Sequence, residues 1–222
     1  MTTAANPCYC VSIMLTDLKL SVRRVALSTV AAIQVGYQAR AGIKEGSRGT
    51  HRLIQSKDFD SFHRLQPENL THFSPDRNPE IYSVHRGDVL FQARGTTHFA
   101  CLIEDDLENT LAAGSFYILR IRDKRLLPAY LDWWLNQPRA QAYFSAQAVG
   151  SGISFVSKKT LGDLEVEVPS LDIQEKITRI NALLRNERIL AERLSLLRSQ
   201  LANAVCMKAV MDGNNKSDIR GI

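Results

Sequence analysis

The chain has 222 residues, 45% of them hydrophobic, and its 28 Lys and Arg outnumber its 23 Asp and Glu to give a net charge of +5. That length holds one large domain or one domain with an appendage, and that apolar fraction argues against a disordered chain. The positive balance favours a polyanionic partner without requiring one. No stretch approaches the ~20 apolar residues of a membrane span. The apolar run Cys8–Leu15 has no Lys or Arg before it and makes a poor signal peptide, so the chain is expected to be cytoplasmic, with no membrane partner.

Residues 1–20 form a leader without a clear period. It contains Cys8 and Cys10, too close for a comfortable disulfide, and no zinc spacing follows them. All four cysteines, with Cys101 and Cys206, therefore read as reduced, buried thiols. From Leu18 the alternation LKLSVRRVAL predicts a strand or a short helix. STVAAIQVGYQAR starts as a short helix capped by Ser28 and breaks at Gly36. The glycine-rich basic stretch 41–55 predicts a loop or hairpin tip ending in the strand HRLIQ. VLFQA and FACLI are rich in β formers, each is preceded by a turn (RGD and RGTTH), and the strand GSFYILRI follows them. The RGD tripeptide is read as a turn, not an adhesion motif.

Leu127–Val149 reads as helical, with Pro128 in a first turn and with Tyr130, Trp133, Trp134 and Tyr143 mostly bracing the sheet. A glycine- and lysine-bearing loop then leads to a strand at Leu164–Val168, ended by Pro169. Asp172 and Glu175 have the D-x-x-E spacing of a capping box, and the helix they open is expected to run to about Val210. Ile180, Leu183, Glu187, Leu190, Leu194, Leu197 and Leu201 alternate spacings of three and four, a heptad seam whose strict spacing argues for a partner helix over a helix lying along its own domain. DGNNKSD is expected to end it. The expected fold class is α+β: a mixed, β-rich domain over 21–169 and a long coiled-coil helix over 170–211, with a polar tail over 212–222.

No phosphate loop, nucleophile elbow, dinucleotide fingerprint or helical His pair is present, so the reading assigns no catalytic residue, no metal and no cofactor. What remains is basic loops on a β-rich domain. Lys and Arg at loop tips suit phosphates, while Arg, Gln, Asn and Thr suit base edges. The candidate DNA contacts are Arg48, His51, Arg52, Lys57, Arg94, Thr96, Thr97, His98, Lys158 and Lys159. The group Arg94, Thr96 and Thr97 stands out because it closes a strand with a glycine turn. Gly36, Gly49 and Gly95 would let the backbone approach a duplex.

The order LSTVAAIQVGYQAR, VHRGDVLFQARG, LLPAYLDWWLN, GSGISFVSKKTLGDLEVEVPSLDIQEKI and the final helix resembles the specificity subunit of type I restriction–modification systems. Its most recognisable signature is a glycine-led segment, then a strand, Pro, Leu and a Gln-x-x-Ile helix start. Here these are Gly150 or Gly152, Leu164–Val168, Pro169, Leu171, Gln174 and Ile177. The resemblance implies a non-catalytic subunit that reads double-stranded DNA. It would dock adenine methyltransferase (modification) subunits and, through the complex, the restriction subunit. Such subunits carry two target recognition domains and two helices; one of each is found here. That implies a half-subunit or a natural truncation; copies of a half-subunit would form a homodimer by antiparallel helix pairing and read a bipartite, two-fold symmetric site. Two other classes fit the same residues: a stand-alone dimeric DNA-binding regulator, and a metal-dependent nuclease without a recognisable motif.

Overall fold

The structure is a computed structural model that describes residues 22–39, 49–147 and 154–217, with side chains described up to Met211. The chain divides into two compact units, Met1–Thr178 and Arg179–Ile222.

The first unit opens with β1 (Arg23–Ala26), a single turn α1 (Leu27–Val30) and β2 (Ala31–Val35). Ser28 lies inside that turn rather than capping it, since the turn begins at Leu27 with Ala26 as its N-cap. Next come β3 (His51–Ile54), β4 (Thr71–Phe73), β5 (Val89–Gln92), β6 (Arg94–Gly95), β7 (Ala100–Leu102), β8 (Thr110–Ala112) and β9 (Phe116–Ile121). The helices α2 (Pro128–Leu135) and α3 (Pro138–Gln147) follow, then β10 (Ser154–Phe155), α4 (Lys158–Asp163), β11 (Glu165–Val168) and α5 (Leu171–Ser217).

The central sheet has strand order β2-β9-β5-β7 and is antiparallel throughout. A second sheet, β4-β3-β8, pairs β3 antiparallel to β4 and parallel to β8. Two ribbons, β1-β11 and β6-β10, join distant parts of the chain.

Period-two alternation divides the central strands between two cores. Val89, Phe91, Tyr117 and Leu119 face the core built with Tyr130, Leu131, Trp134, Leu135 and Phe144 of α2 and α3. Leu90, Phe116 and Ile118 face a second core with Ile54, Leu70, Phe99 and Cys101. The sheet is thus covered on both sides, which is why VLFQ and FYIL read as continuous apolar runs. Tyr130 and Trp134 are buried, and Trp133 and Tyr143 are half-buried against the same core. The expected single helical stretch is two helices, because Pro138 cannot continue α2 and instead opens α3. The RGD turn is real: Gly87 sits at φ 89°, and the Asp88 amide donates to the His85 carbonyl. Cys101 is buried, whereas Cys206 is exposed on α5; Cys8 and Cys10 lie outside the described residues.

The root of α5 differs from expectation. Ser170, not Asp172, precedes the first turn, and its carbonyl accepts from the amides of Ile173 and Gln174. Asp172 lies within that turn and pairs with Lys176 at 2.8 Å on an exposed face. The first two turns pack into the first unit through Gln174 and Ile177. Gln174 is fully buried. Its Oε1 accepts from the Leu127 amide at 2.8 Å, and its Nε2 donates to the Arg125 carbonyl at 2.7 Å and the Pro169 carbonyl at 2.8 Å.

The second unit is the remainder of α5. The helix continues through Asp212 to Ser217, past the expected stop near Val210, since no proline interrupts it and polar residues alone do not end a helix. At 47 residues it is about 70 Å long at 1.5 Å per residue. Among the described residues, no helix is long and apolar enough to cross a membrane.

Candidate nucleic-acid interface

The turn after β5 is built around Gln92, which is only 5% exposed. Its Nε2 donates to the Thr97 carbonyl at 3.1 Å, closing the turn from within. Strand β6 of this turn pairs with β10, matching Ser154 with Gly95 and Phe155 with Arg94. His98 pins the two together: its Nδ1 meets the Gln92 carbonyl at 3.0 Å and its Nε2 meets Ser154 Oγ at 2.8 Å. Arg94, Thr96 and Thr97 are exposed on the turn. The Arg94 guanidinium lies 5.3 Å over the Phe155 ring, which holds the cation in place without neutralising it.

From Phe155 the chain passes through Val156, whose amide donates to the Ala93 carbonyl at 2.9 Å, into α4. Ser157 caps α4 by accepting from the Thr160 amide at 3.0 Å. Lys158 and Lys159 therefore open a helix; they do not sit in the expected flexible loop. Both lysines line an open cleft of about 980 Å³, together with Gln34, Arg120, Arg122 and Asp163. Arg120 is committed elsewhere: its Nε meets the buried Asp88 carboxylate at 3.2 Å. Among the described residues no ion pair holds Arg122, Lys158 or Lys159. The cleft therefore presents a net positive wall suited to phosphate oxygens.

A second projection flanks the turn. Phe59 and Leu65 bridge, the Asp60 amide donates to the Arg64 carbonyl at 3.0 Å, and the His63 amide donates to the Asp60 carbonyl at 3.0 Å. This is a tight hairpin with Ser61, Phe62 and His63 at its tip. Phe59 packs on Phe99 with ring centroids 5.1 Å apart, beside His98. Burial pushes the Asp60 carboxyl up, but hydrogen bonds from the Arg64 amide and guanidinium and from the Phe62 amide outweigh it, so its pKa falls below the ordinary aspartate value.

Of the ten residues singled out in the sequence, the fold places Arg94, Thr96, Thr97, His98, Lys158 and Lys159 along one path through β6, β10 and α4. Lys57 lies in the 3-10 turn Ser56–Asp58 that leads into the hairpin. His51 and Arg52 lie on the second sheet, where the Arg52 guanidinium donates to the Glu108 carbonyl at 3.0 Å and His51 Nδ1 meets Thr50 Oγ1 at 2.9 Å. Arg48 lies outside the described residues. The glycines expected to admit a duplex are used internally. A Cβ on Gly36 would stand 2.1 Å from the Ala113 carbonyl oxygen, one on Gly49 2.2 Å from the Phe73 amide, and one on Gly95 2.4 Å from Gln92 Nε2.

Sequence reasoning missed Arg122, Ser154, Phe155 and His63. The first three acquire their places only through strand pairing and the cleft. His63 carries a faint signal, a histidine and an arginine after an Asp-Ser-Phe turn. Among the described residues, no group of three or more His, Cys, Asp or Glu side chains is placed to hold a metal ion.

No family model matches the chain, and no curated protein matches it. Solved structures do. A type I restriction–modification system S subunit from M. genitalium shares 12% identity at a TM-score of 0.52, over 76% of this chain and 40% of that one. A structure described as showing complex assembly and conformational transition of the type I R-M system shares 20% identity at a TM-score of 0.57, over 81% of this chain and 42% of that one. The HsdS subunit from Thermoanaerobacter tengcongensis shares 19% at 0.55, over 80% of this chain and 40% of that one. The chain thus spans about two fifths of the length of these structures, and its mixed α+β domain with a long C-terminal helix has the fold of a type I restriction–modification S subunit.

Proposed function

We infer that this chain is the DNA-reading specificity subunit of a type I restriction–modification system, non-catalytic itself, directing an adenine methyltransferase and, through the complex, a restriction subunit. The observation that carries this reading is the likeness in fold to S subunits over 76% to 81% of this chain. The basic path from Arg94 to Lys159 supports DNA as the ligand, since it offers uncommitted cations beside hydrogen-bonding side chains.

The reading extends to assembly. Along α5, Ile180, Leu183, Leu190, Leu194, Leu197 and Leu201 are all exposed, between 48% and 66%. A seam of that length is stable in water only against another helix. Two copies pairing antiparallel would bury it, set two recognition domains apart, and read a bipartite, two-fold symmetric site. Glu187 also lies exposed in this seam, where a polar residue fixes register.

Co-purification tests the reading. A tagged copy of this chain, expressed with the methyltransferase encoded beside it, is expected to retain that enzyme and to confer binding to duplex DNA. A chain that binds DNA and retains no methyltransferase would be a stand-alone regulator. Cleavage of plasmid by the pure chain with magnesium would make it a nuclease.

A further inference from the structure

The geometry points to His63 as a specificity-determining residue, presenting its imidazole to a base edge in a groove of the DNA from the tip of the 59–65 hairpin. This rests on the DNA-reading role inferred above. Three observations converge on the residue.

The first is its backbone. His63 has φ 58°, in the left-handed region. It occupies the last position of a three-residue hairpin tip, where glycine is the unstrained choice. Histidine is tolerated there better than most side chains, but it gains nothing locally from the position.

The second is the ring. The imidazole lies flat on Phe99, with centroids 4.1 Å apart and planes at 7°, one residue from His98 and the turn that carries Arg94. The side chain is exposed. Among the described residues neither ring nitrogen has a hydrogen-bond partner, so a donor and an acceptor are held in a fixed plane with nothing to serve. Covering Phe99 requires only an apolar side chain; a ring with unengaged polar edges fits a base. Desolvation of the ring, one face of which lies on Phe99, also holds its pKa below the ordinary histidine value, against the opposite pull of Asp60, which favours the neutral form over a phosphate-binding cation.

The third is the mounting. Asp60 Oδ1 accepts from the amides of Phe62 and Arg64 at 2.9 Å, and Oδ2 accepts from Arg64 Nε at 2.8 Å and Gln66 Nε2 at 3.3 Å. The tip is braced on both sides of His63. A recognition side chain held by a rigid loop loses little freedom on binding.

The test is selection from a library of random-sequence duplexes by the full chain in its methyltransferase complex, with wild type and His63→Gly in parallel. Glycine keeps the left-handed backbone and removes only the ring. The wild type is expected to enrich a motif. His63→Gly should lose discrimination by about tenfold at one or two adjacent base pairs, with the other positions unchanged. Its affinity for random duplex and its salt dependence should stay the same, because a base contact leaves the phosphate count alone. Should His63→Gly lower the Tm, His63→Asn, which also accepts the left-handed backbone, carries the comparison and should change the preferred base. An unchanged motif, or uniform weakening with a shallower salt slope, overturns the assignment and leaves DNA reading intact. A wild type that enriches no motif overturns both.

Discussion

Gln174 is a neutral amide with no access to solvent and three backbone partners. It joins the segment before α2, the end of β11 and the first turn of α5. Gln174→Ala leaves one amide and two carbonyls buried without their partner, which costs about 3 kcal/mol. Urea denaturation should show it as a fall in midpoint with little change in slope. Glu is not a substitute, since it cannot donate to the Arg125 and Pro169 carbonyls and would bury a charge. The sequence pointed to Gln174 as part of a signature, but its role depends on carbonyls 5 and 49 residues away, which no local pattern displays.

Asp58 offers a pH test. It is 2% exposed, its Oδ2 accepts from the Gln55 amide at 2.7 Å, and burial raises its pKa above 3.8 despite that bond and the nearby Lys57. A raised folded pKa means that the folded state holds the proton more tightly. Its contribution is therefore full below the unfolded value and is lost as pH rises through the folded one. Asp58→Asn removes this dependence and keeps an acceptor for Gln55. The variant should gain stability relative to wild type between pH 3 and pH 7, read as the difference in urea midpoint. Asp60, with its lowered pKa, works in the opposite sense: its contribution is present above 3.8 and lost as pH falls below that value.

At the scale of elements, strands were legible and connections were not. VLFQ and FYILRI announce themselves by β-branched and aromatic content. Their order in the sheet, and the pairing of β6 with β10 across 59 residues, do not. The α4 lysines show the difference. In sequence they follow a glycine pair and read as loop; in the fold Ser157 caps them into a helix at the cleft mouth. If they contact phosphates, Lys158→Ala with Lys159→Ala should weaken binding to every duplex alike. Fluorescence anisotropy across a salt series should show the log–log slope shallower by about 2. The α5 seam was legible because a heptad is a local pattern. Its length was not, since the polar stretch from Asp212 carries no obligatory stop. Leu190→Glu with Leu197→Glu should leave the Tm of the first unit unchanged, because both side chains are exposed there. Association measured by sedimentation equilibrium should be lost.

At the scale of the whole molecule, sequence order carried further than sequence identity. Identity to the similar solved structures is only 12% to 20%, yet the order of strands, helical stretch, strand and final long helix read from the sequence matches the order in the fold, apart from the split of the helical stretch at Pro138. Reading surfaces are less legible. Six of the ten candidate contacts fall on one path, while His51 and Arg52 belong to the second sheet, because exposure to solvent does not dictate which face a charge shares. His63 illustrates the converse. Its left-handed backbone comes from the local 59–65 hairpin, but its stacking partner lies 36 positions away.

The central claim is that this chain chooses where a partner enzyme methylates DNA. Methylome sequencing of a host carrying the neighbouring methyltransferase, with and without this chain, tests it directly. Methyladenine is expected at one bipartite, two-fold symmetric motif, and only when the chain is present. The same methylation pattern in its presence and absence would contradict it.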